Sequence, residues 1–400
     1  MFAVAKKLLV VATLFTALAA CVSAPVSGPV KVSEEPMKFE PAVRALAASL
    51  MRQLKANQSS SQAELKEVNI AVEPIVNADT AEVTEASRRI QDIISDETQK
   101  QNPKIRLAPT SPDILLKSQF ILVGIIKVDA KTGAKGSVPY KVGVAIIDLK
   151  TNKVLASATA QVSDNKLDVT PTKSFQDNPM YTKDRRTDGL VKTVETGAGG
   201  TADTEYMNGL VTSSILAQGD REYDKNNYEN ALNYYKEASL RSDGQTMRTY
   251  AALYQAYRQL NKLDKAEAAF GRLLAFCYVE NNINVKLMFS VGRTEFVTDS
   301  EMRSHYYIWL RQIAKLFAKE KGCLEIVGHT SRTGSESYNE SLSLQRARYV
   351  QGLMLKDFPG IMKRSTAIGR GFKENIIGTG SDNMRDAIDR RVEFKITSCR

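Results

Sequence analysis

LEIVGHTSRTGSESYNESLSLQRARYV, residues 324–350, is the stretch on which the reading of this chain turns. It opens with a short apolar run, Leu324 to Val327, of the kind that forms a buried strand. Gly328-His329-Thr330-Ser331 ends that run. Ser337-Tyr338-Asn339-Glu340 then has capping-box spacing and predicts a helix continuing through Leu355. On that helix Leu342, Arg346 and Val350 fall at i, i+4 and i+8, so a guanidinium sits inside an apolar stripe. A charge placed there has to be paired, carried out to water or aimed at a ligand, because desolvating it alone is costly. Pairing with a domain carboxylate such as Glu325, snorkelling to solvent and ligand binding all satisfy that demand. The residues alone leave these open.

Working outward, the pattern from about Ile283 onward is strand, helix, strand, helix and then strands. Thr298-Asp299-Ser300-Glu301 is a capping box, and the helix it opens carries the stripe Met302, Tyr306, Trp309, Leu310, Ile313, Phe317. The last strand alternates, with Val392, Phe394 and Ile396 on one face and Glu393, Lys395 and Thr397 on the other. A basic pair, Arg390-Arg391, precedes it.

Residues 324–350, with GRGFKENI at 369–376 and DAIDRRVEFKI at 386–396, resemble the signature of the OmpA C-terminal domain, with the motifs in the same order. The resemblance covers residues 279–400. It implies a βαβαββ fold and a non-catalytic domain that binds peptidoglycan through the diaminopimelate of the stem peptide. Family-like recognition would use Arg346, from the LSxxRA motif, against the ligand carboxylate, a task that suits a planar two-pronged donor. Gly328, His329, Thr330, Asn339, Arg390 and Arg391 would shape or line the pocket. The family carries an aspartate directly after GHT, fifteen residues before the arginine, which pairs with the ligand ammonium. Here that position is Ser331. A neutral hydroxyl in place of a carboxylate is expected to cost on the order of 1–2 kcal/mol of binding. Asp389 in place of the family's usual asparagine is a milder change. The family fold also sets the last strand antiparallel to the Leu324 strand, which implies a Cys323–Cys399 disulfide and leaves Cys277 over. With no second ligand near His329, a metal role is not expected, and no cofactor is implied.

At the other end, Lys6 and Lys7 precede a ten-residue apolar run, Leu8 to Ala17, too short to span a bilayer. Leu18-Ala19-Ala20-Cys21 resembles the bacterial lipobox. It implies a signal peptide at 1–20, acylation of Cys21, and lipid anchorage at the outer membrane facing the periplasm. The bland alternative is an ordinary secretory signal cleaved after Ala20. Residues 21–38 read as a tether, poor in core-forming residues.

Residues 39–168 read as an α/β domain. Val43, Leu46, Leu50 and Leu54 predict an amphipathic helix, Val68–Val76 a strand, and Ala86, Ile90, Ile93 and Ile94 a second helix. Gln119–Val128, Tyr140–Leu149 and Val154–Val162 predict an antiparallel meander, with polar Lys150–Lys153 turning between the last two. FILVGIIKVD and YKVGVAIIDLKTNKVLASATAQV resemble, in pattern, periplasmic domains of the curli-secretion lipoprotein and of penicillin-binding-protein activators. Residues 169–208 read as a linker or long loop. Their Gly-rich run, Thr196–Thr201, lacks the lysine and Ser/Thr of a phosphate loop. Within residues 209–278, AQGDREYDKNNYENALNYYKEA is echoed by YQAYRQLNKLDKAEAAFGRLLA. Ala231 matches Ala266 and Tyr235 matches Phe270, each 35 residues on. That is close to the tetratricopeptide period and predicts short helical hairpins, serving either as a spacer or, through Tyr250, Tyr254 and Tyr257, as a docking face.

The 400 residues carry 55 Lys+Arg against 45 Asp+Glu, a formal charge of +10. That length suits several domains at roughly 100–200 residues each. Mean hydropathy of -0.28, with a single long apolar run, excludes a multi-span membrane protein. Two histidines and four scattered cysteines without a CxxC pair exclude zinc-ribbon and thioredoxin-type chemistry. No nucleophile–base set or carboxylate pair at motif spacing points to an enzyme, and an envelope compartment offers no nucleic acid. The sequence therefore predicts a non-enzymatic outer-membrane lipoprotein that links the membrane to peptidoglycan and presents protein-interaction modules in 39–168 and the repeats. The alternative is an accessory subunit of an envelope machine (flagellar, secretion or wall-synthase activating) whose wall binding is weak or lost.

Overall fold

The structure, a computed structural model, describes residues 28–58, 67–129, 139–164, 167–281, 283–297, 300–376, 378, 380, 382 and 384–399. The signal segment, Cys21 and the Thr298-Asp299 start of the expected capping box lie outside the described residues. Among the described residues no helix is long and apolar enough to cross a membrane.

The N-terminal elements are Val30–Lys31 (β1), Phe39–Asn57 (α1), Val68–Val72 (β2), Val76–Asn77 (β3), Glu85–Gln101 (α2), Ile105–Pro109 (β4), Pro112–Lys117 (α3), Phe120–Val128 (β5), Tyr140–Asp148 (β6) and Val154–Val162 (β7). They build one sheet in the order β1-β7-β6-β5-β2-β4, with β3 beside β5. β5, β6 and β7 form an antiparallel meander, while β2 runs parallel to β4 and β5. Asp148 Oδ1 accepts from the backbone N–H groups of Lys150 and Thr151 to close the β6–β7 turn. β5 and β6 are apolar almost without interruption because both faces of the sheet are covered. On one face Leu46, Leu50, Ile90 and Ile94 pack on Leu122 and Ile146.

The other face holds two corrections. Residues 169–208 are not a bare linker: they carry Lys173–Gln176 (α4), Arg185–Val194 (α5) and Thr204–Asn208 (α6). Leu190, Val194 and Tyr206 bury against Ile121, Val123, Ala145 and Ile147. The segment is polar overall, but Leu190 and Val194 stand one helical turn apart, enough for a short helix to bury one face. Its Gly-rich run makes a turn in which Gly199, at φ +89, donates to the Val154 carbonyl at 2.8 Å. The expected tether is likewise pinned in its second half, where Val30 and Lys31 pair with Ala158 and Thr159 along the β7 edge.

Leu210–Asp224 (α7), Tyr228–Leu240 (α8), Met247–Gln259 (α9) and Leu263–Val279 (α10) follow, each packed on the next. Ala231, Tyr235, Ala266 and Phe270 are buried where the helices cross. Gly219 is required there, since a Cβ would come within 2.5 Å of the Tyr235 ring. The expected docking tyrosines are not a free surface. Tyr254 is buried and accepts a 2.7 Å hydrogen bond from Trp309 Nε1, and Tyr250 and Tyr257 pack on the same core. Tyr254 is thus used up by the chain's own C-terminal domain.

That domain comprises Ile283–Met288 (β8), Ser300–Lys319 (α11), Cys323–Gly328 (β9), Glu336–Met354 (α12), Ile361–Arg364 (α13), Ser365–Gly369 (β10), a 3-10 turn at Met384–Asp389 and Arg391–Thr397 (β11). The sheet order is β10-β9-β11-β8, with β10 parallel to β9 and β11 antiparallel to both its neighbours. Thr397 lies opposite Cys323, and Cys323 is disulfide-bonded to Cys399. Cys277 is buried and unbridged, and burial pushes its thiol up to about 12, which suppresses thiolate chemistry.

The N-terminal half is joined to this sheet through the free edge of β8. Tyr181 N–H donates to the Asn284 carbonyl and Lys286 N–H to the Pro179 carbonyl, so residues 179–181 extend the sheet. Lys286 Nζ reaches back to Glu82 at 2.6 Å and to the Phe175 carbonyl at 2.5 Å, in a buried pair.

Candidate functional site

The ends of β9 and β10 and the start of α12 meet with almost no space between them. A Cβ on Gly328 would lie 1.9 Å from the Ser343 carbonyl oxygen, and one on Gly369 2.6 Å from that of Glu340. The two glycines therefore let the helix backbone sit directly on the strand ends. Ser343 Oγ accepts from Gly371 N–H at 2.9 Å and locks the loop after β10 to the same turn. The helix starts one turn's detail away from expectation. Its N-cap is Ser335, whose Oγ accepts from Tyr338 N–H, and Ser337 lies inside the first turn. The preceding residue, Gly334, holds φ +92, and the expected start at Ser337 is thus corrected to a cap two residues earlier.

Arg346 points into this junction and is fully buried. Neither Glu325 nor solvent compensates it. Its Nε donates to the Arg293 carbonyl at 2.9 Å, Nη1 to that of His329 at 3.0 Å and Nη2 to that of Ser290 at 3.0 Å. Its guanidinium also stands 5.1 Å from the Phe289 ring centre. Three of five N–H donors thus hold two loops, 290–293 and 328–331, against the helix. Burial, then the neighbouring charge of Arg390, lowers its pKa to about 10, with Asp382 partly opposing, so it stays cationic at neutral pH.

Ser331 does not stand alone. Its Oγ donates to Asp382 Oδ1 at 2.7 Å, and Arg390 Nη1 donates to that same oxygen at 2.8 Å. Thr333 Oγ1 donates to Asp382 Oδ2 at 3.0 Å. The expectation that this position lacks negative charge is therefore not met: the carboxylate arrives from the loop before β11. Burial alone would raise the Asp382 pKa. The hydrogen bonds from Ser331 and Thr333 and the charge of Arg390 outweigh it and hold the carboxyl below its ordinary value. Asn339 braces the same rim from below, donating to the carbonyls of Thr333 and Ser335.

The other predicted residues fall into a second cluster. Neighbouring residues of a strand face opposite ways, so Arg391 turns away from Arg390. It donates from Nε to Glu393 at 2.6 Å and from Nη2 to the Glu374 carbonyl at 3.2 Å. His329 shares the rim only through its backbone: its N–H donates to the Arg391 carbonyl at 2.9 Å, and its ring lies 3.5 Å from Glu393. Burial lowers the histidine's pKa. Glu393 is held at about 2, because hydrogen bonds from His329 and Arg391 and the charge of Arg391 overcome its own burial. Donor atoms of His329, Glu374 and Glu393 lie within 4.8 Å of one another, but Arg391 already gives Glu393 its counter-charge. Thr330 N–H bonds the Gly371 carbonyl and serves the loop. Arg391 and the His329 ring are thus removed from the expected pocket, and Asp382 and Thr333 are added to it. Nothing in the sequence flags Asp382, which lies 51 residues from Ser331 in a Gly-, Ser- and Asn-rich stretch.

The OmpA family matches residues 292–387. Outer membrane protein A of Shimwellia blattae is 35% identical over 94 residues, which are 21% of this chain and 38% of that protein. The chain thus spans well under half of that relative's length. The crystal structure of the peptidoglycan-associated lipoprotein from Burkholderia pseudomallei aligns with 28% of this chain and 86% of its own, at 18% identity and a TM-score of 0.23. The LpoB C-terminal domain from Salmonella enterica aligns with 32% of this chain and all of its own, at 10% identity and a TM-score of 0.22. By its family match and its homology to outer membrane protein A, the C-terminal domain is OmpA-like.

Proposed function

We propose that this protein is a non-enzymatic envelope lipoprotein, anchored at the outer membrane through Cys21, whose OmpA-like domain binds peptidoglycan at the diaminopimelate of the stem peptide. The observation that carries the reading is the mixed-charge rim, where Arg390 pairs with the Asp382 carboxylate and Arg346 holds the neighbouring His329 carbonyl in a domain homologous to OmpA. Guanidinium donors suit the carboxylate of an amino-acid ligand, and a carboxylate suits its ammonium. Gly328, His329, Thr330, Ser331 and Asn339 shape the rim, and Arg391 supports it from the far face of the sheet. In this reading residues 39–168 carry protein contacts and the helices of 209–278 are tetratricopeptide-like spacers.

The accessory-subunit reading has one observation in its favour. Lys286 with Glu82, and Trp309 with Tyr254, join the C-terminal domain to both preceding parts, a rigid arrangement suited to positioning a partner at the wall. Co-sedimentation of residues 22–400 with purified sacculi tests wall binding. The protein should pellet with sacculi, free diaminopimelate should release it, and Arg346→Ala should abolish pelleting. A protein left in the supernatant at every concentration would overturn the proposal, and the accessory role would stand in its place.

A further inference from the structure

We infer that Asp382 supplies the anionic half of the wall-binding site, receiving the ligand's ammonium in place of residue 331. The inference rests on the peptidoglycan-binding reading above and assigns one charge within it. Three observations converge on it. The Asp382 carboxylate gathers Ser331 and Thr333 from the loop after β9 and Arg390 from the start of β11, so a single acid ties together the segments that form the rim. Among the described residues its carboxylate takes three side-chain donors, and a carboxylate has about four acceptor positions, which suits it to take a cation as well. Two of these partners are more enclosed than the acid: Ser331 and Arg390 are buried, whereas the Asp382 side chain keeps 19% of its surface exposed.

The backbone agrees. Asp382 holds φ +54, a left-handed conformation that costs energy for most residues and that aspartate tolerates better than most. Its N–H donates to Asp386 Oδ2 at 2.9 Å, which keeps the acid turned toward Ser331. Electrostatically the acid suits the rim, because Arg390 disfavours the charge of Arg346 while Asp382 favours it and pairs with Arg390.

This arrangement makes a specific and unusual demand on mutagenesis. If residue 331 were simply a lost acid, Ser331→Asp would strengthen wall binding. With Asp382 already 2.7 Å from that hydroxyl, Ser331→Asp sets two carboxylates against each other and should not strengthen it. The test is sacculus co-sedimentation of four full-length mature proteins: wild type, Asp382→Asn, Ser331→Asp and the double variant. Asp382→Asn keeps an oxygen acceptor but removes the charge, and should weaken binding about ten-fold. Ser331→Asp should bind no better than wild type, and the double variant should recover most of the loss by returning the acid to position 331. That rescue also excludes misfolding as the cause of the Asp382→Asn defect. Equal binding by wild type and Asp382→Asn, or tighter binding by Ser331→Asp alone, would overturn this inference and leave wall binding intact. A wild type that does not pellet would overturn both.

Discussion

Two glutamates, one in the N-terminal half and one in the C-terminal sheet, meet opposite fates. Glu393, in the C-terminal sheet, has Arg391 at 2.6 Å and His329 beside it, and is held ionised with a pKa of about 2. Glu73, at the seam between the N-terminal sheet and helix α7, accepts one hydrogen bond, from Ser213 at 3.2 Å. Among the described residues its Oε1 has no partner, and its Arg248 and Arg221 neighbours do not offset its burial, so its pKa rises to about 7. Glu73 is the more enclosed of the two, since Glu393 keeps 21% of its side-chain surface exposed. Deeper burial without a directly bonded guanidinium is what separates a carboxylate that takes up a proton near neutrality from a structural one.

Breaking the better-served side should have the largest effect. Arg391→Ala leaves Glu393 in place without its cation and should destabilise the protein by about 3–5 kcal/mol at pH 7, read as a drop in denaturant midpoint. The pH dependence should then separate the two acids. For Glu393, the folded pKa lies below the unfolded value. Its contribution is full above about pH 4.5, and about 3 kcal/mol is lost as pH falls toward 2. For Glu73 the sign reverses. The folded form holds its proton more tightly, so stability is full below about pH 4.5 and falls as pH rises through 7, again by about 3 kcal/mol. Glu73→Gln should therefore stabilise the protein at pH 8 and change little at pH 4. Equal effects at both pH values would show that Glu73 is not neutral in the folded state. The smallest effect belongs to Ser213→Ala, which removes the one hydrogen bond to Glu73. It should raise that pKa further and cost about 1 kcal/mol at pH 8.

The same contrast explains what could be read in advance. The apolar runs of β5, β6 and β7 and the alternation in β11 are local patterns, and they are legible because each side chain's face follows from its neighbours. Arg346 stood out because a charge interrupted a helical stripe. Its partners did not, since they are backbone carbonyls of Ser290, Arg293 and His329, and a carbonyl leaves no mark on residue identity. Asp382 escaped notice for a different reason: it lies 51 positions beyond Ser331, with two helices and a strand between them, and no periodicity spans that distance. The helices of 169–208 were hidden by composition, because only a few apolar residues at helical spacing dock them on the sheet. In the helical region one of the three marked tyrosines, Tyr254, is used up by a contact with Trp309 of the same chain.

We propose that the rim around Asp382, Arg390 and Arg346 binds the zwitterionic end of a wall stem peptide. Isothermal titration of residues 22–400 with a soluble stem peptide ending in free diaminopimelate tests it most directly. The account predicts saturable binding at one site per chain, lost when the diaminopimelate carboxylate is amidated. Absence of binding, or equal binding of the amidated peptide, would contradict it.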